Sequence, residues 1–403
     1  MGKGKVIGTV TAAVVIPAAV VIGAIYVLPL FDIKSSNTLY YFGNDTSISA
    51  DGTISLGKEE VLGYNSKYPD TMTGYFKEQL DENETYIYNA FMYASENGYS
   101  DVFLPEEVFD DGSYDRLQKL EYVITFLSCD SPFVAHNYTT NNKLIGSIEQ
   151  FAGKSYHHIQ LETLGKEYIS RREAAYEKAK SVVASIPQDC NTDKQKAQYL
   201  YNYVAENSVY VTDGYSTKNV PIADLLIDGK AICDGYADTI TMLFNMAGIE
   251  AASANGANTE KNQGHTVNFA KLDGEYYYFD PSADSIINEK GFKPAFYFGM
   301  SWEEVSDSFT FAAEFANRCP KAEKSLLPDS IDIVISDNSD ATVENIAELI
   351  KSGKDNGIIA KFDESITDEE RTSITNDTAG KVGEQLVSLT AANRLYGIKI
   401  YKG

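Results

Sequence analysis

Residues 229–282 read GKAICDGYADTITMLFNMAGIEAASANGANTEKNQGHTVNFAKLDGEYYYFDPS. Three side chains able to do covalent chemistry together occur there in order: Cys233, His265 and Asp280. Cys233 follows an Asp228-Gly229 turn and precedes Asp234-Gly235. Tyr236, Ile240, Leu243, Phe244 and Ala247 then recur at i, i+4, i+7, i+8 and i+11, the spacing of one buried helix face. Gly248 supplies the stop. The pattern predicts that Cys233 sits at or just before the first turn of that helix. Unbonded N–H groups and the positive end of the helix dipole favour a thiolate there, which predicts a lowered thiol pKa. A lone cysteine so placed is ordinarily a small buried hydrophobe. The other two residues argue for more.

Between His265 and Asp280 lie two β-rich runs, VNFAKL and EYYYF, joined by Asp273-Gly274. That dipeptide is a strong two-residue hairpin signal. The implied register pairs Leu272 with Glu275, Phe269 with Tyr278 and Val267 with Asp280. Side chains alternate across a strand, so His265, Val267 and Asp280 share a face. His265 becomes the diagonal neighbour of Asp280, with roughly 7–8 Å between their backbones, within side-chain reach. A thiol at a helix start beside a carboxylate-held imidazole is the nucleophile, base and orienter of covalent catalysis.

These residues resemble the transglutaminase-like superfamily, which is papain-related. The likeness is carried by Gly229…Ile232-Cys233-Asp234-Gly235-Tyr236-Ala237, Gly248-Ile249, His265-Thr266-Val267-Asn268 and Asp273-Gly274…Tyr277…Asp280-Pro281-Ser282, and it extends upstream through Ala197–Tyr210. It implies an α+β fold, with helices packed on an antiparallel sheet, and a catalytic Cys233-His265-Asp280 triad needing no cofactor or metal. It also implies acyl transfer through a Cys thioester on protein or peptide amides, as protease, amidase or transglutaminase. Two departures stand out. Val267 takes a place where the family often has tryptophan, and Tyr276 replaces the tryptophan of the hairpin. Both bear on the acyl-acceptor side and tilt the expectation towards hydrolysis. The contrasting expectation is a cell-surface binding module that keeps the fold without catalysis.

The chain has 403 residues, 43% of them hydrophobic, enough for two or three domains. With 34 Lys plus Arg against 58 Asp plus Glu, its net charge is −24, which excludes nucleic acid as a natural partner. Lys3 and Lys5 precede an uncharged run from Val6 to Phe31, long enough to span a bilayer with some tilt. The lysines put the N-terminus inside and the remainder outside. A signal peptide would have an apolar stretch of about 7–15 residues, and the one small-residue site, Gly23-Ala24, has Ile22 three places before the cut. The expectation is therefore an uncleaved single-pass anchor, with secretion as the alternative, in a bacterial protein whose substrate includes cell-wall-associated protein or peptide. Cys129, Cys190, Cys233 and Cys319 are scattered, with no CxxC, which argues against zinc and against a disulfide framework.

The remainder divides by pattern. Residues 32–74 read as a linker with short β pieces, TLYYFG and TISLG. Residues 75–170 read as helical, with aromatic stripes around Tyr86–Tyr93 and Leu117–Leu127 broken at Asp130-Ser131-Pro132-Phe133, and with His136, His157 and His158 as surface or loop residues. Residues 171–318 form the catalytic core. Its helices are expected over Arg171–Ile186 and after Thr192-Asp193, and its loops over Thr212–Ala223 and Asn255–Gly264. The first loop, or Tyr210, is a candidate to help bind an oxyanion beside the Cys233 N–H; the second is a candidate substrate edge. Residues 319–403 read as a small βαβαβ domain. Its strands are expected at Ile331–Ser336, Gly357–Phe362 and Tyr396–Tyr401, and its helices at Thr342–Ser352 and Thr367–Leu389, the latter opened by a Thr367/Glu370 capping box. Asp337, Asp340 and Glu344 read as a solvated acidic turn rather than a calcium site.

Overall fold

The computed structural model describes residues 38–42, 53–97, 99, 101–109, 116–135, 146–151, 154–160, 166–211, 220–259, 262–289, 296–353, 357–391 and 395–400. The apolar run 6–31, the chain's candidate anchor, lies outside them, as does His136. No helix among the described residues is long and apolar enough to cross a membrane.

The short β pieces near the N-terminus do more than tether. Strands β1 (Thr38–Phe42) and β2 (Thr53–Gly57) pair antiparallel, and β1 also pairs with β3 (Asp101–Pro105). The sheet continues into residues expected to be helical, β4 (Gly146–Phe151) and β5 (Lys154–Gln160), in the order β2-β1-β3-β5-β4. His157 and His158 are therefore strand residues. His157 is buried against the Phe109 ring, and the His158 ring stacks on Phe103 at 4.1 Å, contrary to the surface reading. These strands carry no clean period-2 pattern: Tyr156, His157 and Ile159 are all buried. Around the sheet lie α1 (Lys58–Leu62), α2 (Glu82–Asn97), α3 (Arg116–Asp130) and α4 (Pro132–Ala135). Leu120, Val123, Ile124 and Leu127 of α3 join the largest core, while Phe126 and Cys129 join a second one. The aromatic stripes are core, as their spacing indicated.

Helix α5 (Lys166–Ala184) starts a turn earlier than expected, and α6 (Asp193–Glu206) opens on a Thr192/Gln195 capping box. A two-stranded parallel pair, β6 (Val209–Tyr210) with β7 (Lys230–Ala231), flanks α7 (Pro221–Leu226). Then comes α8 (Cys233–Met246), whose Tyr236, Ile240, Leu243 and Phe244 are fully buried. Each such aliphatic side chain contributes about 1.5–3 kcal/mol through burial.

The sheet against α8 is antiparallel, in the order β11-β10-β9-β8-β12. Strands β9 (Gln263–Leu272) and β10 (Glu275–Phe279) pair in the expected register, Leu272 with Glu275 and Phe269 with Tyr278. Asp273 and Gly274 both have positive φ, 50° and 93°, the turn geometry that suits strand twist. Strand β8 (Ala251–Asn258) pairs with β9 and turns the expected Asn255–Gly264 loop largely into strand. Its sequence, AASANGAN, is poor in β-formers. Small side chains suit it because Ala251, Ala252 and Ala254 are buried. Helix α9 (Pro281–Glu289) follows β10, and then come β11 (Phe298–Met300), α10 (Trp302–Ser308), β12 (Phe309–Phe311) and α11 (Ala313–Ala316). The fold is α+β.

The C-terminal part departs from βαβαβ. Strand β13 (Ile333–Ile335), α12 (Asp340–Ser352) and β14 (Gly357–Phe362) make a parallel crossover. Helix α13 (Asp368–Val382) keeps the Thr367/Glu370 box but stops at Gly383, which has φ +75°. Residues expected to prolong it form β15 (Leu386–Thr390), antiparallel to β16 (Leu395–Ile400). The sheet order is β13-β14-β16-β15. Ile358, Ala360 and Phe362 face their own core, whereas Ile359, Val387, Leu389 and Leu395 pack against the second core of the preceding region. Asp337 accepts bonds from Ser339 and Thr342, and Glu344 pairs with Lys381. Among the described residues no group of three or more His, Cys, Asp or Glu could hold a metal.

Candidate active site

Cys233 is the first residue of α8, after Ile232 in extended conformation. At that position its N–H has no carbonyl within the helix to bond. The helix start is pressed against α7. A Cβ on Gly235 would lie 2.6 Å from the Ala231 Cβ and 2.9 Å from the Pro221 carbonyl oxygen. Glycine is what lets the thiol-bearing turn approach so closely. His265 stands on β9 opposite Gly256 of β8.

Asp280 leaves the hairpin as the cap of α9. Its Oδ1 accepts the N–H of Ala283 at 3.0 Å and the Ser282 hydroxyl at 2.6 Å, with Pro281 as the first helical residue. Its Oδ2 lies 2.7 Å from His265 Nε2. That leaves Nδ1 unengaged by Asp280, and the Cys233 thiol and the imidazole stand close enough for each to shift the other's pKa. The structure thus brings together all three residues singled out from the sequence.

Their electrostatics differ from the expectation at one point. Burial pushes the Cys233 thiol above its ordinary value, and the charges of Asp234 and Asp280 add to that, although the His265 bond opposes it. Desolvation outweighs the helix start here, and sequence alone does not show how deeply the sulfur is enclosed. Burial alone would lower His265, but the charge and hydrogen bond of Asp280, together with the Cys233 contact, outweigh it and hold the imidazole at about 11. Asp280, despite burial, is held below its usual range by His265, Ser282 and Ala283. The resting site is a thiol facing an imidazolium–carboxylate pair.

Several neighbours were not legible as site residues. Asp234 Oδ1 lies 3.7 Å from the thiol, which donates to it, and it accepts the Thr266 hydroxyl at 2.8 Å. Tyr210, by contrast, is the oxyanion candidate that the sequence offers; it is lifted to about 12 by burial and by the nearby Cys233, Asp280 and Asp234, so it stays an O–H donor. The loop 212–219 lies outside the described residues. Ser282 could have been found, since Asp-Pro-Ser is a helix-start signature.

A cavity of about 370 Å3 opens beside Cys233 and His265, lined by Ser253, Asn255, Thr266 and Asp238, with Ser128 and Cys129 of α3 closing one side. Val267 and Tyr276 are not in its lining. Val267 is in the second core, and the Tyr276 hydroxyl bonds Glu250. The two departures from the family pattern therefore do not line this cavity. All four cysteines are free thiols.

Residues 180–281 match the sequence model of the transglutaminase-like superfamily. No curated protein matches the chain. Among solved structures, a protein provisionally named a cysteine protease from Cytophaga hutchinsonii is 13% identical, over 36% of this chain and 64% of that one, with a TM-score of 0.25. A structure named as a TGase is 17% identical, over 48% of this chain and 52% of that one, with a TM-score of 0.26. The periplasmic domain of TgpA from Pseudomonas aeruginosa is 16% identical, over 35% of this chain and 58% of that one, with a TM-score of 0.24. The chain covers less than two thirds of each. The segment that matches the transglutaminase-like superfamily, residues 180–281, is thus the one that carries Cys233, His265 and Asp280.

Proposed function

We propose that the protein is a thiol acyl-transfer enzyme acting on carboxamide or peptide carbonyls through a thioester on Cys233. The observation that carries this is the placement of the His265 imidazole between the Cys233 thiol and the Asp280 carboxylate.

In the proposed sequence the thiol first releases its proton to solvent, which leaves a thiolate beside the imidazolium, and the sulfur then attacks the carbonyl carbon. A C–S bond forms as the carbonyl electron pair moves to oxygen, where the Cys233 N–H and the Tyr210 hydroxyl stabilise the charge. The imidazolium gives its Nδ1 proton to the departing amine as the C–N bond breaks. His265, now neutral, takes a proton from an incoming water or amine, which attacks the thioester. Collapse breaks the C–S bond and returns the thiolate beside the imidazolium. Asp280 steadies the cation throughout. Water gives hydrolysis; an amine gives transamidation.

The raised thiol favours a second reading, a non-catalytic surface module that keeps the fold for binding. Iodoacetamide labelling separates the two. Selective alkylation of Cys233, lost in His265→Ala, supports the enzyme; labelling no faster than an ordinary thiol supports the module. Incubation with a glutamine-containing protein and a labelled primary amine then distinguishes transfer, by incorporation, from hydrolysis, by release of fragments or ammonia alone. The lysine-flanked apolar run 6–31 supports a site outside the membrane that acts on a protein or peptide, including cell-wall material.

A further inference from the structure

One turn beyond Asp280 lies a second enclosed carboxylate, Asp284, with no role in the steps above and no place in the cavity lining. Its Oδ2 accepts the Tyr201 hydroxyl of α6 at 2.6 Å and the Tyr297 N–H at 3.0 Å, and its Oδ1 accepts the Phe296 N–H at 3.2 Å. The same two partners hold the backbone of Asp280. The Tyr201 hydroxyl lies 3.0 Å from the Asp280 carbonyl oxygen, and the Asp280 N–H donates to the Tyr297 carbonyl at 3.1 Å. Asp284 therefore ties together the two groups that grip the Asp280 peptide from either side.

We propose that Tyr201 and Asp284 are positioning residues, which fix the Asp280 peptide and through it hold the carboxylate against His265. The proposal builds on the functional reading above, but its physical content is the alignment of Asp280 with the imidazole. Proton counting sharpens it. A hydroxyl has one hydrogen, so with Asp284 ionised Tyr201 serves either the carboxylate or the Asp280 carbonyl. With Asp284 protonated, the carboxyl hydrogen can serve Tyr201 and the tyrosine hydrogen the Asp280 carbonyl, which satisfies both contacts. The titratable groups facing Asp284 are Tyr201 from α6 and Asp280 on its own element, with His265 beyond it. Burial and the Asp280 charge lift Asp284 to about 7, so the shared state is populated near neutral pH.

The test is the titration midpoint of His265, read by NMR in the full-length chain with labelled histidine, which needs no substrate. In Tyr201→Phe and Asp284→Asn, retaining wild-type circular dichroism, the midpoint is expected to fall by about one unit or more, as a loosened carboxylate stabilises the imidazolium less. Tyr199→Phe, on the same helix with its hydroxyl against Ser185, is expected to leave the midpoint in place. If Asp284→Asn does not fold, Tyr201→Phe decides alone. A wild-type midpoint in the folded variants overturns the proposal, even if they melt earlier. A lowered midpoint in a protein inactive on every amide tried upholds the positioning and sinks the functional reading. In an active protein kcat is expected to drop about tenfold or more with KM held within about twofold.

Discussion

Asp280 and His265 meet through one oxygen of a carboxylate whose other oxygen starts a helix. Oδ2 lies 2.7 Å from Nε2, while Oδ1 takes the Ala283 N–H and the Ser282 hydroxyl. The orienting acid is thus held by the backbone that follows it, with no flexible arm to settle. Asp280→Asn keeps a good cap and removes the charge; Asp280→Ala removes both. Activity on an amide substrate is expected to fall about 10⁴-fold in Asp280→Asn, by analogy with the serine triad. Asp280→Ala is expected to lose about 1 kcal/mol more in urea unfolding than Asp280→Asn.

The same pair sets a pH dependence of stability. His265 is raised, so its contribution is complete below the unfolded value near 6.5 and is lost as pH rises through about 11. Asp280 is lowered, so its contribution is present above 3.8 and is lost as pH falls below that. The stability difference between wild type and Asp280→Asn is expected to be largest between about pH 4 and 6.5 and to shrink steadily at pH 8, 9 and 10. Urea titrations at those values check it; a difference that grows with pH would refute the assignment.

Thiol reactivity follows from the contacts of Cys233. Burial and Asp234 hold the proton on sulfur, and His265 works against them. Alkylation by iodoacetamide is expected to keep accelerating above pH 9, to slow in His265→Ala, and to quicken on the order of tenfold at pH 8 in Asp234→Asn. Mass spectrometry of the peptide bearing Cys233 reads each rate.

Gly235→Ala should strike both the fold and the site. The new methyl would meet the Ala231 Cβ and the Pro221 carbonyl, so the start of α8 must shift. The expected cost is about 1–3 kcal/mol. Cys233 labelling is expected to lose its dependence on His265, a coupling read by comparing Gly235→Ala with the Gly235→Ala, His265→Ala double variant.

His157 gives an acid-side weakness on the N-terminal sheet, outside the cavity lining. It is buried with neither ring nitrogen bonded to a described residue, and burial followed by the Arg116 charge pushes its pKa down. Its neutral form is therefore the folded form. Stability is complete above about 6.5 and is lost as pH falls through that value. His157→Phe, beside Phe109, is expected to unfold less readily than wild type at pH 5 and to differ little at pH 8, as scanning calorimetry would show.

What could be read from sequence was what local chemistry dictates. Asp273-Gly274 fixed a register, Thr192 and Thr367 marked helix starts, and Gly248 closed α8, because each acts through its own backbone. What could not be read depended on neighbours distant in sequence. Ala251–Asn258 is a strand because β9 pairs with it and the surroundings admit small side chains. Leu386–Thr390 left the helix pattern because β16 was there to receive it. The three reactive residues were legible as types and order. The desolvation that lifts the thiol, and the partners Asp234 and Tyr201, were not.

Ser128 and Cys129 close one side of the cavity, yet they lie some fifty residues upstream of the family match at 180–281. Cut to its recognisable segment, the chain would keep its sulfur, ring and acid but present them in a trough with one bank missing. The walls of the cavity thus come from more of the chain than a family resemblance picks out.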